Sequence, residues 1–303
     1  MLLTDGLARS VFRLRAGIGP VRRDWPNRQT EWDVFWDSRL ICMILNNPKS
    51  FRDEPLVSVI TPAHDAAGVL ARTIQAVADQ TLGAVEHIVI NDGSNDGTLE
   101  LLEELSRGLP HLRYLHQRRQ GAGMARNLGI EAAEGRYIAF LDSDDLWLPG
   151  KLAAQVRFME ERQCVFSYGD YLVQAKDKGG AVGTFRTPRE LRHRDLLRGC
   201  PIGCLTAAYN QEALGKAYMP HAARGQDWAL WLSLTRDGTP AMRYPGIEAV
   251  YHRNRGSLSA NKLSKSLDMY RIYRQQERIG VTKALGYLAS FSIHSLRKRW
   301  IAG

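Results

Sequence analysis

Three carboxylates fall within four positions in the stretch Phe140-Leu141-Asp142-Ser143-Asp144-Asp145-Leu146-Trp147, directly after the apolar run Tyr137-Ile138-Ala139-Phe140-Leu141. Carboxylates this close repel one another and raise each other's pKa unless a cation or strong donors neutralise them. A hard divalent ion held by one or two carboxylates and completed by substrate phosphates answers that problem, and Mg²⁺ or Mn²⁺ suits such ligands. The same residue types also suit an acidic turn that caps the next helix. Both readings stand on this stretch alone.

The elements around it narrow the choice. Val57–Thr61, Val85–Ile90, Leu112–His116 and Tyr137–Leu141 read as strands, with Pro62 ending the first. Helical stretches at about 68–79, 98–107 and 124–134 alternate with them. Strands and helices alternating at this spacing predict βαβ units and a mainly parallel sheet. Ligands in such sheets sit beyond the carboxyl ends of the strands. Thr61–Asp65, Asn91–Ser94 and Asp142–Asp145 all follow strands, so three polar loops are expected on one rim.

Other nucleotide and metal motifs fail. Gly121-Ala122-Gly123-Met124-Ala125-Arg126 begins like a dinucleotide fingerprint, but Arg126 stands where the third Gly belongs and the loop follows the third strand. A Gly-x4-Gly-Lys-Ser/Thr loop is missing from the sequence, as is any His pair at helical ligand spacing. Cys42, Cys164, Cys200 and Cys204 match no common zinc or redox pattern, and reduced cysteines fit a cytoplasmic location.

The 303 residues suffice for one large or two small domains, and the 44% hydrophobic content is that of an ordinary globular chain. The formal charge of +9 is unevenly spread. Residues 54–261 hold 23 basic and 24 acidic side chains, whereas the flanks hold 18 basic and 8 acidic. A neutral centre argues against a nucleic-acid groove, and basic flanks favour an anionic surface such as a membrane leaflet. The chain contains no run near the ~20 apolar residues of a spanning helix, and its amino end is unlike a signal peptide. Three segments are expected: an extension over 1–53, partly helical around 31–46; a central domain over 54–261; and a basic helical segment over 262–303.

Val57-Ser58-Val59-Ile60-Thr61-Pro62, Ile88-Val89-Ile90-Asn91-Asp92-Gly93-Ser94-Asn95-Asp96-Gly97-Thr98, Ala125-Arg126-Asn127 and Phe140-Leu141-Asp142-Ser143-Asp144-Asp145 occur in that order. Together these motifs resemble family 2 glycosyltransferases over about residues 56–258. The resemblance implies an α/β GT-A fold: a mainly parallel central sheet flanked by helices, here with an N-terminal extension and a C-terminal helical tail. It implies a nucleotide-sugar donor, UDP-linked before the alternatives of a thymine or guanine nucleotide, with Thr61, Pro62 and His64 lining the base pocket and Asp92 bonded to the base. Arg126 would support the nucleotide side. Asp142-Ser143-Asp144 would be the Asp-x-Asp motif, with Asp144 the direct ligand of a Mn²⁺ or Mg²⁺ ion, Asp142 beside it and Asp145 a helix cap or supporting group. Here His64-Asp65 stands where the family often has Tyr-Asn, and Asn91 replaces a commoner Asp.

Further along, Arg224-Gly225-Gln226-Asp227-Trp228 begins a helix whose apolar face is Trp228, Leu230, Trp231 and Leu234. As plain structure, Asp227 is a favourable first-turn residue. By resemblance it is the catalytic base of an inverting transfer, with Gln226 in place of the usual Glu. Arg253, or else Arg255, would reach the diphosphate from a closing loop. The acceptor implied is a glycan or a lipid-linked sugar of bacterial surface polysaccharide or glycolipid assembly. The stripe Val281, Ala284, Leu285, Leu288 and Phe291, followed by Arg297-Lys298-Arg299, either lies on an anionic membrane surface or packs on the domain. Membrane contact would place the enzyme peripherally on the inner face of the cytoplasmic membrane. Two other classes fit less of the sequence. A nucleotidyltransferase needs a Gly-rich triphosphate loop that Thr61–Asp65 does not provide, and an inactive binding scaffold would not need all four of Asp92, Asp142, Asp144 and Asp227.

Overall fold

The computed structural model describes residues 54–175, 181–222, 224–253 and 262–301. The proposed helix at 31–46, Cys42 and the side chains of Arg253 and Arg255 lie outside the described residues.

Alternating apolar residues along the first strands decide the layers, because successive strand side chains point to opposite faces. In β1 (Val57–Ala63) and β4 (Tyr137–Phe140), Ile60, Ile138 and Phe140 join one core, while Val57, Val59, Tyr137 and Ala139 join another. The first core takes Ala125 and Ile130 of α3 (Ala122–Ala132) and the apolar residues of α7 (Gln226–Thr235). The second takes Leu152, Val156 and Met159 of α4 (Lys151–Glu161). Leu70 and Ile74 of α1 (Leu70–Ala78) and Leu102 of α2 (Thr98–Gly108) cover a third patch.

With β2 (Val85–Asp92) and β3 (Leu112–Gln117), the first four strands run parallel in the order β3-β2-β1-β4. The sheet continues through β10 (Ala208–Asn210), antiparallel to β4, then β6 (Phe166–Tyr168), β11 (Ala241–Arg243) and β9 (Glu190–Leu191). A smaller sheet has the order β5-β12-β7-β8, from Leu146–Trp147, Ala249–Arg253, Tyr171–Ala175 and Ala181–Phe185. The short helices α5 (His193–Leu196) and α6 (Gln211–Leu214) connect strands.

One local expectation changes. Pro62 does not end β1; it pairs in register with Ile90 and the strand continues to Ala63. Cys204–Thr206 is a 3₁₀ turn leading into β10.

Residues 262–301 form α8 (Lys262–Arg271), a π-turn (Ile272–Gln276) and α9 (Val281–Ile301). Met269, Ile272, Tyr273 and Ala284 are buried in the first core, with Leu288 and Phe291 packed against it. Val281 and Leu285 face outward, 49% and 53% exposed. The apolar stripe is therefore divided between the core and the solvent.

Beneath β1, the His87 imidazole is fully buried, its Nε2 2.9 Å from the Thr61 hydroxyl. Burial, reinforced by neighbouring His111, lowers its pKa to about 3. Between roughly pH 6.5 and 3 the unfolded chain binds a proton at this site that the folded chain refuses, so stability falls as pH falls through that window. His87→Gln should cost about 1 kcal/mol at pH 7 yet show a shallower loss of melting temperature from pH 7 to 4.5. An unchanged slope would show that His87 does not set acid sensitivity.

Candidate active site

The loops after β1 and β2 are joined by hydrogen bonds. After β1, Asp65 takes a left-handed backbone (φ 47°), a conformation Asp tolerates better than most residues. Its backbone N–H donates to the Ser94 hydroxyl at 3.0 Å and its carboxylate accepts from the Asn95 N–H at 2.9 Å. Ala66 and Ala67 donate to Thr98 and Asp96, closing the loop against the start of α2. Half-buried His64 contacts the Asp92 carbonyl through Nδ1 at 2.9 Å.

Asp92, at the end of β2, is buried and accepts from the Gln117 amide (2.7 Å), the Gln120 N–H (2.8 Å) and the Gly121 N–H (2.8 Å). A carboxylate has about four acceptor positions, so this arrangement leaves room for one more donor. Gly93 is required beside it: its φ is +67°, and a Cβ there would lie 2.7 Å from the Arg119 backbone nitrogen. Asn91 accepts from the Ser94 N–H at 3.1 Å, and its buried Nδ2 has no partner. Thr61 is wholly buried and bonded to His87, so its hydroxyl supports the strand instead of facing the rim. Pro62 is buried next to it.

Asp92 orders the start of α3, and one helical turn later Arg126 emerges from that helix. Its guanidinium is over nine-tenths buried and pairs with half-exposed Asp142. Burial alone would lower the Arg126 pKa; Asp142 foremost, with Cys204 and Asp227, holds it above its ordinary value. The Arg126 Nε is buried without a hydrogen-bond partner. Arg126 thus brings Asp142 and Asp227 into one electrostatic group, although they are far apart in sequence.

The acidic loop folds back through an Asp145 N–H to Asp142 carbonyl bond of 3.1 Å. The Thr73 hydroxyl lies 2.8 Å from the Ser143 carbonyl and 3.0 Å from that of Asp145. Asp145 caps no helix: α4 begins at Lys151 after a Gly150 cap, and β5 intervenes. Its carboxyl is buried and accepts from the His252 N–H at 2.9 Å, tying β12 to the loop. Burial, then Asp142 and Asp144, raise its pKa well above the ordinary range. Asp144 lines a small cavity of about 50 Å³ with Val69, Arg72, Thr73, Leu146 and His252.

Among the described residues, no three His, Cys, Asp or Glu side chains are grouped to hold a metal unaided. Asp145 is committed to His252, and one Asp142 oxygen to Arg126. Asp142 and Asp144 are the loop's other two carboxylates. Two carboxylates completed by substrate phosphates suit Mg²⁺ or Mn²⁺, and the crowding that raises the Asp145 pKa is what a cation would relieve.

Asp227 lies in the first turn of α7, after a left-handed Gly225 cap. Gln226 turns away from it: its amide donates to the Ala222 carbonyl and its side chain packs on Gly123, where a Cβ would lie 2.9 Å from Gln226 Cδ. Gly123 therefore belongs to the contact between α3 and α7, not to a phosphate loop. Cys204, adjacent to Arg126 in the 3₁₀ turn, carries no sequence signal of its own; its thiol pKa is pushed up by burial.

A mixed α/β fold built on one large central sheet matches glycosyltransferases of the GT-A fold such as TarS. The particular family follows from the sequence: residues 58–215 match Glycosyl transferase family 2, and the chain belongs to it. The matched region ends before Asp227. The chain is 37% identical over 248 residues to the glycosyltransferase TuaG of Bacillus subtilis (strain 168), named for teichuronic acid biosynthesis, covering 81% of this chain and 98% of TuaG. It is 34% identical over 214 residues to the Escherichia coli UDP-Glc:alpha-D-GlcNAc-diphosphoundecaprenol beta-1,3-glucosyltransferase WfgD, covering 70% of this chain and 83% of WfgD. In three dimensions it resembles S. aureus TarS residues 1–349 in complex with UDP-GlcNAc (TM-score 0.60, 19% identity, 78% of this chain and 71% of that one). A longer TarS structure is matched over only 42% of its length. Mannosyltransferase PcManGT from Pyrobaculum calidifontis, in complex with GDP-Man and Mn²⁺, matches with a TM-score of 0.59 at 17% identity, over 88% of this chain and 79% of its own.

Proposed function

We propose that the protein transfers a sugar, with inversion, from a UDP-linked donor to a hydroxyl of a glycan or lipid-linked acceptor in bacterial surface polysaccharide or glycolipid assembly. The observation that carries this reading is the grouping of Asp142 and Asp227 around buried Arg126, on the rim that also bears Asp92 and Asp144. The donor type is supported by the UDP-GlcNAc bound to TarS and by the UDP-Glc in WfgD's name. The acceptor type is supported by the diphosphoundecaprenol-linked sugar in that name and by the biosynthetic role in TuaG's.

Asp92 has capacity for one base N–H, and His64 flanks the same pocket with Pro62 beneath; the Thr61 side chain is left out of the pocket by its burial. Asp144 and Asp142 are the ligands for a Mn²⁺ or Mg²⁺ ion, with the Ser143 backbone keeping them in register. Such an ion, when bound, supplies charge stabilisation for the leaving diphosphate. Arg126 pairs with Asp142 and offers its Nε to the nucleotide side. Arg253, the last residue of β12, is the cation we assign to the diphosphate. Asp227 takes the proton from the acceptor hydroxyl as its oxygen attacks the anomeric carbon from the face opposite the leaving group.

General bases contribute ~10²–10⁴-fold. Asp227→Ala should therefore lose at least about a hundredfold in nucleotide release from the best of UDP-glucose, UDP-GlcNAc and GDP-mannose, assayed with a GlcNAc-diphospholipid acceptor. Its donor affinity should stay within about twofold, whereas Asp144→Ala should lose metal-dependent donor binding. Full turnover by Asp227→Ala would end the base assignment.

The reading includes peripheral attachment to the inner face of the cytoplasmic membrane. Among the described residues no helix is long and apolar enough to cross a membrane. Val281 and Leu285 are exposed beside Arg278 and Lys283, a pattern suited to an anionic interface. The full chain should co-sediment with phosphatidylglycerol-containing vesicles and not with phosphatidylcholine alone, and Val281→Glu/Leu285→Glu should weaken this several-fold. Equal binding to both vesicle types would count against the charge argument.

A further inference from the structure

The helix that carries Asp227 is held by a segment far from the rim. The π-turn at Ile272–Gln276 and the residue after it touch α7 along its length. A Cβ on Gly225, the α7 cap, would lie 3.5 Å from Ile272 Cδ1. Tyr273 meets Trp228 edge to face at 5.1 Å. The Gln276 amide donates to the Ala229 carbonyl at 2.7 Å. Glu277, its carboxylate buried, accepts from Arg236 at the far end of α7 (2.7 Å) and lies 3.0 Å from His193 Nε2 of α5.

The same turn also holds α5. The last carbonyls of a helix lack partners within it. Here the Leu196 carbonyl accepts from Trp228 Nε1 at 2.8 Å and the Leu197 carbonyl from the Tyr273 hydroxyl at 2.6 Å. The chain then runs from α5 into Cys200–Cys204, whose last residue is within electrostatic range of Arg126, Asp142 and Asp227. One buried ring thus meets the base-bearing helix and, through its hydroxyl, the start of the segment that passes the base. π-Turns inside helices are rare and recur at functional sites.

We propose that Tyr273 and Gln276 are positioning residues for the transfer step. They fix the orientation of α7, and so of Asp227, relative to the Cys200–Cys204 segment without touching substrate. A base misplaced by about 1 Å loses on the order of a hundredfold in rate. The donor rim rests on Asp92, Asp142 and Asp144, none of which lies on α5, α7 or the π-turn, so loosening the clasp should affect turnover more than donor binding. The proposal rests on the base role of Asp227.

The test uses the full chain with Tyr273→Phe, which keeps the ring and removes the hydroxyl, and Gln276→Leu, which keeps the bulk and removes the donor. Both are compared with wild type and Asp227→Ala in the nucleotide-release assay. Each clasp variant should lose at least tenfold in kcat with donor KM within twofold, while circular dichroism at the assay temperature matches wild type. Wild-type kcat in both, with only a lowered melting temperature, would overturn the proposal by reducing the residues to packing. Donor KM rising in step with the loss of kcat would also overturn it, because the clasp would then act on the donor rim. If Asp227→Ala were fully active, the base reading and this proposal would fall together; an inactive Asp227→Ala beside fully active clasp variants would overturn the proposal alone.

Discussion

Carboxylates cannot share a partly dry rim in ionised form unless cations are placed among them, and Arg126 is placed in that way. It pairs with Asp142, feels Asp227, and is itself almost removed from water. A buried guanidinium that loses its partner is strongly destabilising, so Arg126 and Asp142 constrain each other's loops. The position of Arg126 depends in turn on α3, whose first turn is set by Asp92 through the Gln120 and Gly121 N–H groups. A single chain of contacts therefore runs from the end of β2, through α3, to the acidic loop and the base-bearing helix.

That chain explains why the rim remains acidic after Arg126 has neutralised one charge. Asp145 is bound to β12 and its pKa is driven upward by burial and by its acidic neighbours. The loop gathers three carboxylates within four positions. Desolvated charge of one sign is costly, and it suits a site completed by a cation arriving with a diphosphate.

Much of this was legible in the sequence because it depends on short-range pattern. The apolar runs at Val57–Thr61, Val85–Ile90 and Tyr137–Leu141 declare strands, the helices between them require parallel pairing, and parallel pairing places the following loops on one side. The Asp227 helix was equally readable from its apolar face. What escaped depends on contacts distant in sequence. Thr61 is placed by the alternation of β1 and by His87, 26 residues away, which no local pattern reports. The role of Asp145 comes from His252, 107 residues away, in a small sheet whose two-residue β5 is too short to show periodicity. Gly123 mimics a phosphate-loop glycine locally and is explained only by Gln226 packing on it. The tail shows an apolar stripe, but only the fold separates Ala284, Leu288 and Phe291, turned inward, from Val281 and Leu285, turned out.

The central claim is that the acidic rim is a cation site completed by the donor's phosphates. Manganese binding followed by electron paramagnetic resonance, with and without UDP-glucose, UDP-GlcNAc or GDP-mannose, tests it most directly. The account predicts weak Mn²⁺ binding to the protein alone and at least tenfold tighter binding when the matching nucleotide sugar is present. Mn²⁺ affinity that no nucleotide sugar alters would contradict it.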